Sequence, residues 1–273
     1  SPSTMIYSEL KRQIHDNLDT LGEVGCTSTS DSVLEKIKRV STYSEKKVWE
    51  EKYTEEGDSA DSSYEWFLAF DSLQPILTAL VSRNARVLHI GCGNSNLGVD
   101  LHLHGMAARG VVNTDISPTV IRQMSDKWGK ILSPKRMKWL VDDVLCMDLG
   151  PATFDCVVDK GTLDAIMCNL DQDLKKHNTQ KVLDEVHGVL KPGGNYVVIS
   201  FGQPEVRTPY FLATGLYDTI CWYALSPSGD DNNSSSRVKT TKRKQTIYIY
   251  NLRKGTDVSP LCYSQGCSSN SVT

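Results

Sequence analysis

The hydrophobic pattern changes texture about a third of the way along the chain. Residues 1–30 are polar and weakly periodic, which predicts a loosely ordered lead-in with one short helix near Tyr7 to Leu18. From Asp31, an N-cap residue type, Val33, Leu34, Ile37 and Val40 recur at helical spacing. A second helix is expected to carry Val48, Trp49 and Tyr53, and a third to run from about Trp66 to Val81. Short apolar runs then take over. Arg86–Ile90, Gly110–Thr114, Met137–Val141, Phe154–Val158 and Asn195–Phe201 have the length and β-branched content of buried strands. Helical stretches separate them, at Asn96–His104, Pro118–Gly129, Thr162–Leu170 and Asn178–Leu190. Lys191-Pro-Gly-Gly194 is a helix stop and turn before the fifth strand.

Strands alternating with helices imply βαβ units, hence an α/β architecture with a parallel sheet covered on both faces. The alternation stops after the fifth strand. Tyr217–Leu225 and Gln245–Leu252 are both strand-like, with no helical segment between them, and are expected to pair as an antiparallel β-hairpin. Ser226–Thr241, rich in Ser, Asp, Asn and Gly, predicts a flexible loop within it. The division expected is an N-terminal extension over 1–40, a domain over 41–254 that includes the loop 226–241, and a tail over 255–273.

Composition adds mostly exclusions. At 273 residues, 39% hydrophobic and 23% charged, the chain can build one large core without metal or disulfide staples. Thirty basic against 33 acidic residues give no general electrostatic reason for nucleic-acid binding. Lys242-Arg243-Lys244 is a local exception of the kind more common as a solvated loop edge. No apolar run approaches the roughly 18 residues of a membrane span, and Ser1–Thr4 lack a signal-peptide pattern. The eight Cys form no CxxC pair, so no metal site is expected, and Cys156 and Cys221 sit in apolar strands as small hydrophobes. These features favour a reducing, cytoplasmic setting.

Candidate chemistry gathers where strands end. Gly91-Cys92-Gly93-Asn94 follows the first strand, where a nucleotide-like ligand approaches the backbone of an open parallel sheet. Asn96 stands where the dinucleotide fingerprint has its third Gly, the residue that serves a pyrophosphate. Asp115 ends the second strand, 24 residues after Gly91, and can accept ribose hydroxyls; it can equally start the next helix. Asp142-Asp143-Val144 follows the third strand, where a carboxylate can receive an adenine amino group while Val144 packs on the ring. Asp159-Lys160-Gly-Thr-Leu-Asp164 closes the fourth strand at the same edge, with Thr162 or Asp164 also suited to capping the following helix.

Together these stretches resemble a known family. Val48-Trp-Glu-Glu-Lys-Tyr53, Tyr64-Glu-Trp-Phe67, Leu88-His-Ile-Gly-Cys-Gly-Asn-Ser95, Thr114-Asp-Ile-Ser117, Asp143-Val144 and Phe154-Asp-Cys-Val-Val-Asp-Lys-Gly-Thr-Leu-Asp-Ala165 are similar to the seven-strand methyltransferases grouped with the lysine methyltransferases of translation elongation factor 1-alpha. That group includes an enzyme related to the endothelin-converting-enzyme-2 locus and the N-terminal domain of methyltransferase-like protein 13. The Lys160-Gly-Thr-Leu-Asp-Ala165 run is its most specific part, and the likeness spans about residues 43–252. It implies a Rossmann-like seven-stranded methyltransferase fold: a mostly parallel sheet, a C-terminal antiparallel hairpin and helices on both faces. It also implies S-adenosyl-L-methionine as cofactor and S-adenosyl-L-homocysteine as product. Trp49, Tyr53, Trp66, Gly91, Gly93, Asn94, Asp115, Ile116, Asp143, Val144 and Lys160 then carry over as cofactor contacts. The family often has an aromatic residue where Ile116 stands. Asp159 and Asp164 are candidates for orienting a substrate amine, and the implied partner is a protein substrate such as elongation factor 1-alpha. Two other readings stay open on the sequence: a small-molecule N- or O-methyltransferase, and a non-catalytic cofactor-binding or scaffold protein.

Overall fold

The structure is a computed structural model that describes residues 42–56, 65–226, 246–256 and 262–263. The expected helices before residue 41, the flexible loop and Lys242-Arg243-Lys244 lie outside the described residues. A one-turn 3-10 helix, Thr42–Ser44, leads into α1 (Lys46–Glu56), and α2 spans Phe70–Leu80. The alternating part follows as β1 (Val87–Ile90), α3 (Leu97–Leu103), β2 (Val111–Asp115), α4 (Pro118–Trp128), β3 (Met137–Val141), β4 (Phe154–Lys160), α5 (Thr162–Met167), α6 (Gln172–Val189) and β5 (Leu190–Ser200). It closes with α7 (Pro204–Ala213), β6 (Thr219–Leu225) and β7 (Ile247–Arg253). A two-residue β8, Cys262–Tyr263, pairs parallel with β6, so the expected tail contributes a short edge strand.

The sheet order is β3-β2-β1-β4-β5-β7-β6-β8, parallel from β3 to β5 and antiparallel at β5–β7 and β7–β6. The antiparallel pair is the expected hairpin, but its second strand, not its first, lies against β5. Strand alternation sends neighbouring residues to opposite faces. Val87, Val111, Val158 and Ile199 join α2 and α3 in one core layer, whereas Leu88, Val112, Val157 and Val198 meet α5 and α6 in the other. Burial on both faces explains why these strands are nearly continuous apolar runs.

Three boundaries differ from the sequence reading. α2 begins at Phe70, not Trp66, because Phe67 turns the chain with φ 68°. α6 begins six residues before Asn178, where the Asp171 carboxylate accepts from Asp173 N and Leu174 N, both at 3.0 Å. Its first turns carry an exposed Leu174 and no apolar periodicity, so the cap starts the helix, not the pattern. Lys191-Pro-Gly-Gly194 does end α6, yet it lies inside β5, with Gly193 at φ 76° beside a register shift against Phe154. α7 went unpredicted: it starts on Pro204 and contains Pro209, which together mask its helical pattern.

Candidate functional site

In the order β2-β1-β4, the chain leaves β1 toward one side of the sheet and later returns to the other, which opens a crevice beyond the strand ends. A cleft lies there, enclosing about 1080 Å³ with the solvent at its mouth included. It is lined by every residue expected to contact the cofactor: Trp49, Tyr53, Trp66, Gly91, Gly93, Asn94, Asp115, Ile116, Asp143, Val144 and Lys160. Four separate strand ends and α1 bring them together.

The turn after β1 forms a close-fitting cradle. Gly91 and Gly93 have φ of 53° and 50°, in the region where a Cβ is disfavoured. A Cβ on Gly91 would lie 2.0 Å from Thr162 Oγ1, and one on Gly93 would lie 2.6 Å from the Tyr53 hydroxyl. The turn is tied to β2, because Gly93 N donates to Asp115 Oδ2 at 2.9 Å and Ser117 N donates to Asp115 Oδ1 at 3.0 Å. Asp115 therefore also helps to start α4, whose N-cap is Ser117. Burial pushes the Asp115 carboxyl up, against these backbone bonds and the charge of Lys52.

At the end of β3, Asp142 Oδ1 accepts from Asp143 N at 3.1 Å and from Asp148 N at 3.2 Å. Its Oδ2 is buried with no hydrogen-bond partner. Asp143 Oδ1 accepts from Leu145 N at 2.9 Å. Both carboxylates line the cleft beside Val144.

Glu65 is the residue that sequence reasoning missed most clearly, although it lies within the Tyr64–Phe67 stretch. Its carboxylate accepts from Ser95 Oγ at 2.8 Å and Asn96 N at 2.7 Å, and pairs with the Lys160 ammonium. One acidic side chain thus links the segment before α2, the cradle and the end of β4. Lys160 is 2% exposed. His89, also on the cleft wall, meets Asn113 Oδ1 through Nδ1 at 3.1 Å. Burial, and then the Lys160 charge, push its imidazole down to about 4.

Above the cradle, Trp49 sits 6.2 Å from both the Tyr53 and Trp66 ring centroids. Trp49 Nε1 donates to Tyr43 O at 2.7 Å. α1 is anchored through Glu50, which accepts from Ser117 Oγ and from Thr119 Oγ1 at the start of α4, bonds that hold its carboxyl low. Phe67 has a left-handed backbone that is costly for a bulky residue; its ring lies 4.1 Å from that of Phe201, and a Cβ on Gly161 would meet it at 3.1 Å.

The two acids after β4 separate. Asp159 is fully buried and is not part of the cleft lining: it accepts from Thr162 N at 2.8 Å, Leu163 N at 3.0 Å and the Tyr196 hydroxyl at 2.9 Å. It therefore starts α5, a task the sequence reading gave to Thr162 or Asp164, while burial pushes its carboxyl up to about 7. Asp164 does line the cleft, held by Arg207 Nη2 at 2.7 Å, Ser200 Oγ at 2.5 Å and Phe201 N at 2.9 Å.

A mostly parallel Rossmann-like sheet with a reversed C-terminal hairpin, a glycine cradle after β1 and acids ending β2 and β3 define the class: the methyltransferase fold. Comparisons with known proteins agree. Residues 81–241 match the family described as methyltransferase domain. The chain is 32% identical over 193 residues to EEF1A lysine methyltransferase 4 of Mus musculus, covering 68% of this chain and 72% of that protein. It is 34% identical over 158 residues to the eEF1A lysine and N-terminal methyltransferase of Mus musculus, covering 58% of this chain but 22% of that longer relative. A solved chain from the Haloferax volcanii complex of the Trm112 methyltransferase activator with a methyltransferase superimposes with a TM-score of 0.52 at 14% identity, covering 77% of this chain and 98% of that one. That likeness speaks for the fold alone. The chain belongs to the methyltransferase-domain family, and the resemblance drawn from its motifs holds.

Proposed function

We propose that this chain is an S-adenosyl-L-methionine-dependent protein-lysine methyltransferase, with elongation factor 1-alpha as its candidate substrate and the cytoplasm as its setting. Residues 41–254 are the catalytic unit in this reading. The observation that carries it is the convergence of Asp115, the Gly91–Gly93 cradle, the Asp142–Asp143 pair and the aromatic residues of α1 on one cleft. It joins the substrate named for both relatives.

The residues present fit the cofactor. Asp115 is a buried carboxylate whose spare lone pairs suit a ribose diol, and the glycines leave room that any Cβ would fill. The orphaned Asp142 Oδ2 marks an acceptor for an exocyclic amine, with Asp143 and Val144 beside it. Trp49, Tyr53 and Trp66 offer π-faces to a cationic sulfur. When bound, S-adenosyl-L-methionine supplies a methyl group already activated on a sulfonium.

The protein's tasks are then to hold the acceptor amine in line and keep water away. A free lysine is neutral in only about one molecule in a thousand at pH 7. The apolar, aromatic wall of the cleft favours the neutral amine by desolvation. Asp164, fixed by Arg207, Ser200 and Phe201, is the carboxylate placed to orient that amine, and Asp159 acts indirectly by fixing the start of α5.

Incubating the protein with labelled S-adenosyl-L-methionine and either purified elongation factor 1-alpha or a cell lysate, followed by mass spectrometry, tests the reading. Methyl-lysine on elongation factor 1-alpha is expected. Label confined to small molecules would replace it with the small-molecule reading.

A further inference from the structure

On the cofactor reading above, which this inference rests on, the aromatic residues of α1 face the positive centre of the ligand. That seat already holds a cation belonging to the chain itself. Trp49, Lys52 and Tyr53 lie three and four positions apart on α1 and so share one helix face. Lys52 Nζ is 4.8 Å from the ring centroid of Trp49, 5.1 Å from Trp66 and 5.3 Å from Tyr53. All three distances fall within the roughly 6 Å over which a ring face attracts a cation.

The geometry points to Lys52 as an intramolecular occupant of the cofactor's cation seat, one that must leave before the ligand enters and that thereby sets cofactor affinity. Three rings around a single nitrogen leave space for one cation, and a second charge in the same apolar box is repelled with little screening. The seat is dry enough for burial to push the Lys52 amine down to about 7, even though Asp115 pulls it up. The apparent dissociation constant then exceeds the intrinsic one in proportion to the fraction of molecules whose seat is filled. Since Lys52 vacates the same place for either form of the ligand, donor and product are affected by one common factor.

Calorimetric titration of the full chain with S-adenosyl-L-methionine and, separately, with S-adenosyl-L-homocysteine tests this. Lys52→Met keeps the apolar stem and removes the charge, and it is expected to bind both ligands about tenfold tighter, a change of about 1.4 kcal/mol. Lys52→Gln, neutral but differently shaped, should move in the same direction. Lys52→Arg, which restores a cation, should keep the wild-type constants. Unchanged or weaker binding by both neutral variants overturns the proposal, as does tightening for one ligand only, since the lysine would then remain beside the bound ligand. If the wild type binds neither ligand, the cofactor reading falls and this inference with it. If the wild type binds both and neither neutral variant tightens, only the role of Lys52 falls.

Discussion

Arg207 Nη2 donates to Asp164 Oδ1 at 2.7 Å, with the two side chains 1% and 4% exposed, so a charge from α7 holds a carboxylate on the cleft wall. Arg207→Met would leave Asp164 charged, buried and short of one partner. A loss of about 3–5 kcal/mol is expected from breaking such a pair, measured by urea denaturation. Adding Asp164→Leu should recover part of that stability, because the stranded charge is then gone.

Asp115 separates a ligand role from a structural one. Asp115→Ala removes the acceptor proposed for the ribose diol and also releases Gly93 N. Hydrogen bonds to a charged group contribute about 1.5–3 kcal/mol, so S-adenosyl-L-methionine binding should weaken at least tenfold by calorimetry. Unchanged affinity would remove Asp115 as the ribose partner.

The cradle makes a steric prediction. In Gly93→Ala the new Cβ meets the Tyr53 hydroxyl at 2.6 Å on a backbone with φ 50°. The left-handed backbone alone costs about 1–2 kcal/mol, and cofactor binding should fall further through the clash. Tyr53→Phe in the same chain removes the clashing oxygen and leaves the nearest other ring contact, Cζ, at 3.6 Å. The double variant should therefore bind better than Gly93→Ala alone.

His89 makes a pH prediction. Its pKa falls from 6.5 to about 4 on folding, through burial and then Lys160. Below pH 6.5 the unfolded chain takes a proton that the folded chain refuses, so acidification through the window from 6.5 to 4 destabilises the fold. At pH 5 the contribution lost is about 2 kcal/mol. Asp159, raised to about 7, acts in the opposite direction as its carboxyl takes up a proton on folding. Comparing urea midpoints at pH 7 and pH 5 for the wild type and His89→Gln isolates the histidine: the wild type should lose more.

Much of the site was legible because it sits at strand ends, where a change from apolar to Gly or Asp is local and visible. Gly91, Asp115, Asp143 and Lys160 were found this way. Trp49, Tyr53 and Trp66 were not, since a Trp/Tyr pair at helical spacing has the same pattern whether it packs a core or caps a cleft; only the family resemblance pointed to them. Glu65 and Arg207 carried no signal. Each acts on a partner far away in sequence, Lys160 for Glu65 and Asp164 for Arg207, and one acidic or basic residue in a polar stretch looks like any other.

By itself the sequence determined the layered α/β plan, the position of the crevice and the antiparallel nature of the last two long strands. Those follow from local periodicity, from burial on both faces of a parallel sheet and from the lack of a helix between β6 and β7. Tertiary structure alone decided that β7 lies between β5 and β6, that Asp159 starts a helix while Asp164 faces the cleft, and that Lys52 stands among three aromatic rings. Each of those outcomes depends on which distant groups meet, through packing and charge pairing across elements, and no local pattern encodes such meetings.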